Sequence, residues 1–130
     1  MKAIVIGLVL ALPVPLYAAT NAVLESYRTA AQQEAPGFKD FSAARGETLY
    51  GLKTAGVSCS TCHGTSPKES GKHATTGKAI LPMAPSANPE RFTDAAKVEK
   101  WFKRNCNDVL KRPCTATEKG DFITYMLSVK

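Results

Sequence analysis

The sequence predicts a small all-α domain. Three observations carry that prediction. Apolar residues recur at helical spacing in four stretches, no stretch alternates as a half-buried strand does, and one short motif reads Cys59-Ser60-Thr61-Cys62-His63. On a turn of helix Cys59 and Cys62 project from the same side, so both can reach the vinyl groups of one porphyrin. His63 then lies under the iron as its proximal nitrogen ligand. The expected architecture is a helical domain wrapped around one covalently attached haem c, with Cys59, Cys62 and His63 binding it.

Competing chemistries of the same five residues fit less well. A zinc site needs two further ligands, and beyond the cysteine pair only His63, His73, Cys106 and Cys114 remain. A redox dithiol of the thioredoxin kind belongs after a strand in an alternating strand–helix pattern, which this chain lacks.

The chain has 130 residues, the size of one domain. Its first residues read as a targeting segment. Met1-Lys2 is positive, residues 3–12 are apolar, Pro13 and Pro15 interrupt, and Leu16-Tyr17-Ala18 ends on a small residue. The expected division is a secretory signal over 1–18 and a monohaem domain over 19–130, with an uncleaved anchor as the alternative. The apolar run is short for a bilayer span. Export to the periplasm suits the cysteines, because disulfides persist outside the reducing cytosol. Two serve the haem, which leaves one further pair, Cys106 and Cys114. A core of this size is small, and the apolar faces of a haem enlarge it. The formal charge is +6, and loss of Lys2 lowers it by one. Basic residues are dispersed and no nucleic-acid motif accompanies them, so they read as a solvated surface able to steer acidic redox partners.

Residues 21–34 form the first expected helix, with Val23, Leu24, Tyr27, Ala30 and Ala31 as its apolar stripe, ended by Pro36-Gly37. A second runs over 42–51, capped by Asp40 or Ser42, with Ala44, Leu49 and Tyr50 buried. Gly46 in its middle costs about 1 kcal/mol against Ala, which is explicable if another helix crosses closely. Residues 64–91 lack periodicity and hold prolines at 67, 82, 85 and 89. They read as a long loop wrapping the haem, anchored by Ile80-Leu81-Pro82-Met83. Thr93 or Asp94 caps a helix to about 107, on which Val98, Trp101, Phe102 and Asn105 share a face. Trp101 is expected to contact the haem from there. Thr115-Ala116-Thr117-Glu118 is a capping box that opens the last helix, with Phe122, Ile123, Met126, Leu127 and Val129 inward.

The residue opposite His63 determines what such a haem does. Met83 would make an electron carrier, but it lies only 20 residues after His63 and reads more simply as haem-edge packing. His73, in a polar glycine-containing stretch, reads as a solvent-facing loop histidine. Asn105 lies 42 residues after His63, a comfortable span to the other face. Two readings of it stand level: an iron ligand, or a helix-end amide bonded to backbone.

The segments Thr76-Gly77-Lys78-Ala79-Ile80, Ala84-Pro85-Ser86-Ala87, Arg91-Phe92-Thr93-Asp94, Val98-Glu99-Lys100-Trp101 and Arg104-Asn105-Cys106-Asn107 closely resemble the sphaeroides haem protein family of oxygen-binding cytochromes c. The likeness runs from about residue 59 to residue 125. It implies a cytochrome c-like fold, His63 as proximal ligand, Asn105 as the ligand of ferric iron, and a Cys106–Cys114 disulfide. The related cytochrome c″ proteins carry histidine where this chain has Asn105, so bis-histidine ligation does not transfer. The family has leucine at the position of Met83, and methionine ligation stays open as the alternative.

From the resemblance, the leading expectation is a periplasmic cytochrome whose reduced iron releases Asn105 and binds a diatomic, O2, NO or CO. Its donor would be a dihaem or membrane cytochrome. A plain His/Met electron carrier and a haem enzyme turning over O2, superoxide or NO are the alternatives. No dedicated acid–base pair marks the chain as an enzyme.

Overall fold

In the computed structural model, which describes residues 15–130, five helices and one two-stranded ribbon follow one another as α1 (Leu16–Glu34), α2 (Ala43–Gly51), α3 (Cys59–His63), β1 (Gly71–Lys72), β2 (Ala79–Ile80), α4 (Ala95–Leu110) and α5 (Ala116–Ser128). Most of the expected targeting segment lies outside the described residues. Among those described, no helix is long and apolar enough to cross a membrane.

Helix α5 is the element the others pack on, with α2 and α1 laid against it. Its buried residues are Ala116, Gly120, Asp121, Phe122, Ile123 and Met126, while Leu127 and Val129 are half-buried. The capping box is formed: the Glu118 amide donates to Thr115 Oγ1 (3.1 Å), and Glu118 Oε2 accepts from the Thr115 amide (2.9 Å). Gly46 of α2 lets the two helices touch, because a Cβ there would run into the Asp121 carbonyl. Gly120 serves the same end against the Phe41 ring. Tyr50, one turn after Gly46, shares its buried face. Ala44 was expected inside and is exposed, since it lies two residues before Gly46 and so on the far side of the helix.

The core joins Val23 and Tyr27 of α1, Tyr50 of α2, Phe92, Val98 of α4, and Phe122, Ile123 and Met126 of α5. Aromatic edges organise it: Phe122 meets Phe102 edge-on at 5.6 Å and Phe92 at 6.4 Å, and Phe102 meets Tyr27 at 5.9 Å. Helix α1 extends further than expected at its start and buries Thr20, Val23, Tyr27 and Ala31. Helix α4 runs three residues past the expected end, to a left-handed Lys111. Its packed residues are Val98, Phe102 and Cys106, four residues apart. Trp101 and Asn105 lie one step round the cylinder and are exposed. The expected single stripe is thus two adjacent ones, of which the protein core uses one.

The long loop contains the ribbon. Gly71 pairs with Ile80 and Lys72 with Ala79, antiparallel. His73 is not a free surface histidine: it is half-buried in the ribbon turn, where its Nδ1 accepts from the amides of Thr75 (3.3 Å) and Thr76 (3.1 Å).

Candidate functional site

Helix α3 is only five residues long, too short to be stable alone, so its surroundings must hold it. Four contacts do. Ser58, fully buried, donates its amide to Thr61 Oγ1 (3.0 Å), and its hydroxyl meets that of Ser60 (2.7 Å). Tyr50 Oη donates to the Gly64 carbonyl (2.6 Å), pinning the chain just beyond His63 to α2. Gly71 brings the ribbon backbone against the Cys62 carbonyl and His63 Cα, with no room for a Cβ. The Ala74 amide donates to Cys62 Sγ (3.4 Å). Gly64 closes the helix at φ 80°, a conformation glycine adopts without strain.

Cys59 and Cys62 take no part in a disulfide, and Cys59 packs against the core. His63 is half-buried, and its Nδ1 is wholly buried without a hydrogen-bond partner among the described residues. Burial, with the Arg91 charge adding to it, holds the imidazole below its usual range. It is therefore neutral at physiological pH, the form that binds a metal. An orphaned ring nitrogen inside a protein is costly unless the ring has other work.

Among the described residues, no group of three or more His, Cys, Asp or Glu side chains is placed to hold a bare metal ion. The residues suit an iron porphyrin: two cysteines three positions apart on one turn, an imidazole next to the second, and exposed apolar side chains at Val57, Leu81 and Trp101, each more than a third exposed. The residues fit a covalently attached haem.

Met83 is half-buried and packs against the core, with its amide bound to the Pro67 carbonyl (2.8 Å). Asn105 is in the body of α4, not at its end, and its amide makes no hydrogen bond among the described residues. Asn107, two positions on, is the asparagine tied to backbone, donating to the Lys103 carbonyl (2.7 Å). Arg104 lies over the Trp101 ring at 5.7 Å and within 3.8 Å of Asp108. Cys106 is bonded to Cys114 across the α4–α5 turn, with Cα atoms 5.7 Å apart.

Sequence reasoning missed Arg91. Its Nε donates to the Pro82 carbonyl (2.8 Å) and its Nη2 to that of Leu81 (2.7 Å), and its charge reaches His63. The local signal was faint, a lone arginine after a proline-rich loop.

A family described as a domain of unknown function (DUF1924) matches residues 36–126. The chain is 48% identical over 89 residues to the cytochrome c-type protein SHP of Cereibacter sphaeroides, covering 65% of this chain and 68% of that protein. A solved structure of oxidized SHP, described as an oxygen-binding cytochrome c, superposes with a TM-score of 0.73 at 40% identity, over 82% of this chain and 94% of that one. The solution structure of cytochrome c″ from Methylophilus methylotrophus, whose description concerns haem-ligand detachment, gives 0.76 at 34% identity, over 85% and 94%. The cofactor is haem c, covalently attached, and the fold is the all-α one of these cytochromes. The chain belongs to the cytochrome c family that includes SHP and cytochrome c″.

Proposed function

We propose that this haem cytochrome is a periplasmic electron acceptor in which Cys59 and Cys62 carry the haem, His63 holds its iron from one side, and Asn105 holds it from the other only while it is ferric. The observation that carries the reading is the unbonded amide of Asn105, on the same flank of α4 as exposed Trp101, when nearby Asn107 has its backbone partner. The haem supplies a one-electron couple and, once reduced, a coordination position that a small molecule can take. An amide oxygen is a hard, neutral donor, suited to ferric iron and weak toward the softer ferrous ion. Asn105 is thus built to let go on reduction, which opens a site for O2, NO or CO. Released, its amide N–H remains available as a hydrogen-bond donor. The bond from Cys106 to Cys114 ties the next residue to the start of α5, so Asn105 moves on a restrained stretch of backbone. The likeness to SHP, an oxygen-binding cytochrome c, and to cytochrome c″, described by its haem-ligand detachment, supports the same reading.

The periplasmic setting requires removal of the leading segment. Cleavage after Ala18 would take off Leu16 and Tyr17, both exposed, and leave buried Thr20 and Val23 in place. The electron donor in this reading is a dihaem or membrane cytochrome.

Asn105→Ala is expected to change the ferric visible and electron paramagnetic resonance spectra, whereas Met83→Leu leaves them at wild type. The reverse pattern would transfer the ligand to Met83 and make the protein a plain electron carrier.

A further inference from the structure

All five arginines are described, and four sit beside a carboxylate: Arg28 by Glu25 and Asp40, Arg45 by Asp121, Arg104 by Asp108, and Arg112 by Glu118. Arg91 has none among the described residues. It is nevertheless half-buried, and burial depresses its guanidinium where carboxylates hold up those of Arg28, Arg45 and Arg112. A cation withdrawn from water without a counter-ion is costly, and two carbonyl partners offset only part of that cost. Those carbonyls, of Pro82 and Leu81, occupy Nε and Nη2, and Nη1 has no partner among the described residues. The ribbon places the guanidinium by the haem-binding turn: Gly71 packs on His63 Cα and pairs with Ile80, and Arg91 Nη2 holds the carbonyl of the next residue, Leu81. Haem c brings two propionate carboxylates, the anion whose planar geometry a guanidinium matches best.

We propose that Arg91 is a haem-binding residue that pairs with a haem propionate through the nitrogen its protein contacts leave free. The same side chain holds the Leu81 and Pro82 carbonyls, and the next two amides, of Met83 and Ala84, bind the Pro67 carbonyl (2.8 and 2.9 Å). Arg91 thereby fastens the 81–84 loop to the haem, and its charge favours the reduced iron. This inference rests on the attached haem alone and is independent of the assignment of Asn105.

The test uses the holoprotein with Arg91→Gln and Arg91→Lys, read by resonance Raman spectroscopy of the propionate bending mode and by spectroelectrochemistry. Arg91→Gln should shift the propionate mode and move the midpoint potential to more negative values. Arg91→Lys should keep the potential close to wild type while the mode shifts by a smaller amount, as a single donor replaces the fork. A propionate mode unchanged in Arg91→Gln overturns the proposal and leaves Arg91 as a clamp on the loop carbonyls. Should Arg91→Gln fail to fold, Arg91→Lys decides by itself, and an unchanged propionate mode there overturns it equally.

Discussion

Asp121 shows at the level of single residues how a polar group is made to fit a small core. Its carboxylate is 3% exposed and accepts from the Ser42 amide (2.7 Å), Arg45 Nε (2.7 Å) and Arg45 Nη2 (2.8 Å). Those bonds fix the start of α2 to α5, and through α2 they fix Tyr50, whose hydroxyl holds Gly64 beside the haem-binding turn. Removing one partner of a buried, hydrogen-bonded charge is expensive. Asp121→Ala, which frees an arginine that can turn to water, is expected to cost about 2–3 kcal/mol. Arg45→Ala, which leaves the carboxylate buried with one amide, should cost at least as much. Urea titration of the holoprotein measures both, and a loss within error of zero for either would remove Asp121 from the account of α2 placement. None of this was legible in the sequence, because the partners are 76 and 79 residues apart and nothing local marks Asp121 as inward.

The elements divide into those whose signals are local and those defined by a neighbour. The haem-binding turn and the Thr115–Glu118 cap could be read directly, since each is complete within five residues. The ribbon could not, because strands of two residues are too short to display alternation. The flank of α4 was misjudged for a related reason. Spacings of three and four both look amphipathic, and only packing tells that Phe102 and Cys106 meet the core while Trp101 and Asn105 do not. Gly46 was legible as a crossing point, and it provides a test with an unusual sign. Alanine favours helix by about 1 kcal/mol over glycine, yet Gly46→Ala should destabilise the protein because its Cβ meets the Asp121 carbonyl. A thermal melt with raised Tm would contradict the close α2–α5 contact.

The cap of α5 sets a pH dependence. The Arg112 guanidinium, with the Thr115 amide, holds the Glu118 carboxyl below the usual carboxylate range. A depressed folded-state value contributes stability above the unfolded value of about 4.3, and that contribution is lost as pH falls through the folded value. Glu118→Gln, which keeps a capping side chain but removes the charge facing Arg112, should therefore cost less than about 1 kcal/mol at pH 7, with the gap from wild type closing below about pH 4. Denaturant titrations at pH 7 and pH 3 check it, and an equal gap at both would show that the ionised carboxylate contributes nothing.

Across the whole molecule, the packed core and the proposed releasable ligand, Asn105, occupy different sides of the same helix. Core residues of α4 face α1 and α5, Trp101 and Asn105 stay outside that packing, and the disulfide restrains the backbone just beyond Asn105. In the proposed reading, loss of an Asn105–iron bond would disturb no core contact, as a ligand that leaves and returns with each electron requires. The cytochrome fold was foreseeable because the covalent motif and the resemblance pointed to it, while the separation of duties on α4 emerged only from the packing. The central claim is that reduction frees the iron from Asn105. It is tested most directly by reducing the protein without oxygen, recording the visible spectrum, and adding carbon monoxide. The account predicts a high-spin ferrous spectrum that converts rapidly on carbon monoxide addition. A low-spin ferrous spectrum that carbon monoxide leaves unchanged would contradict it.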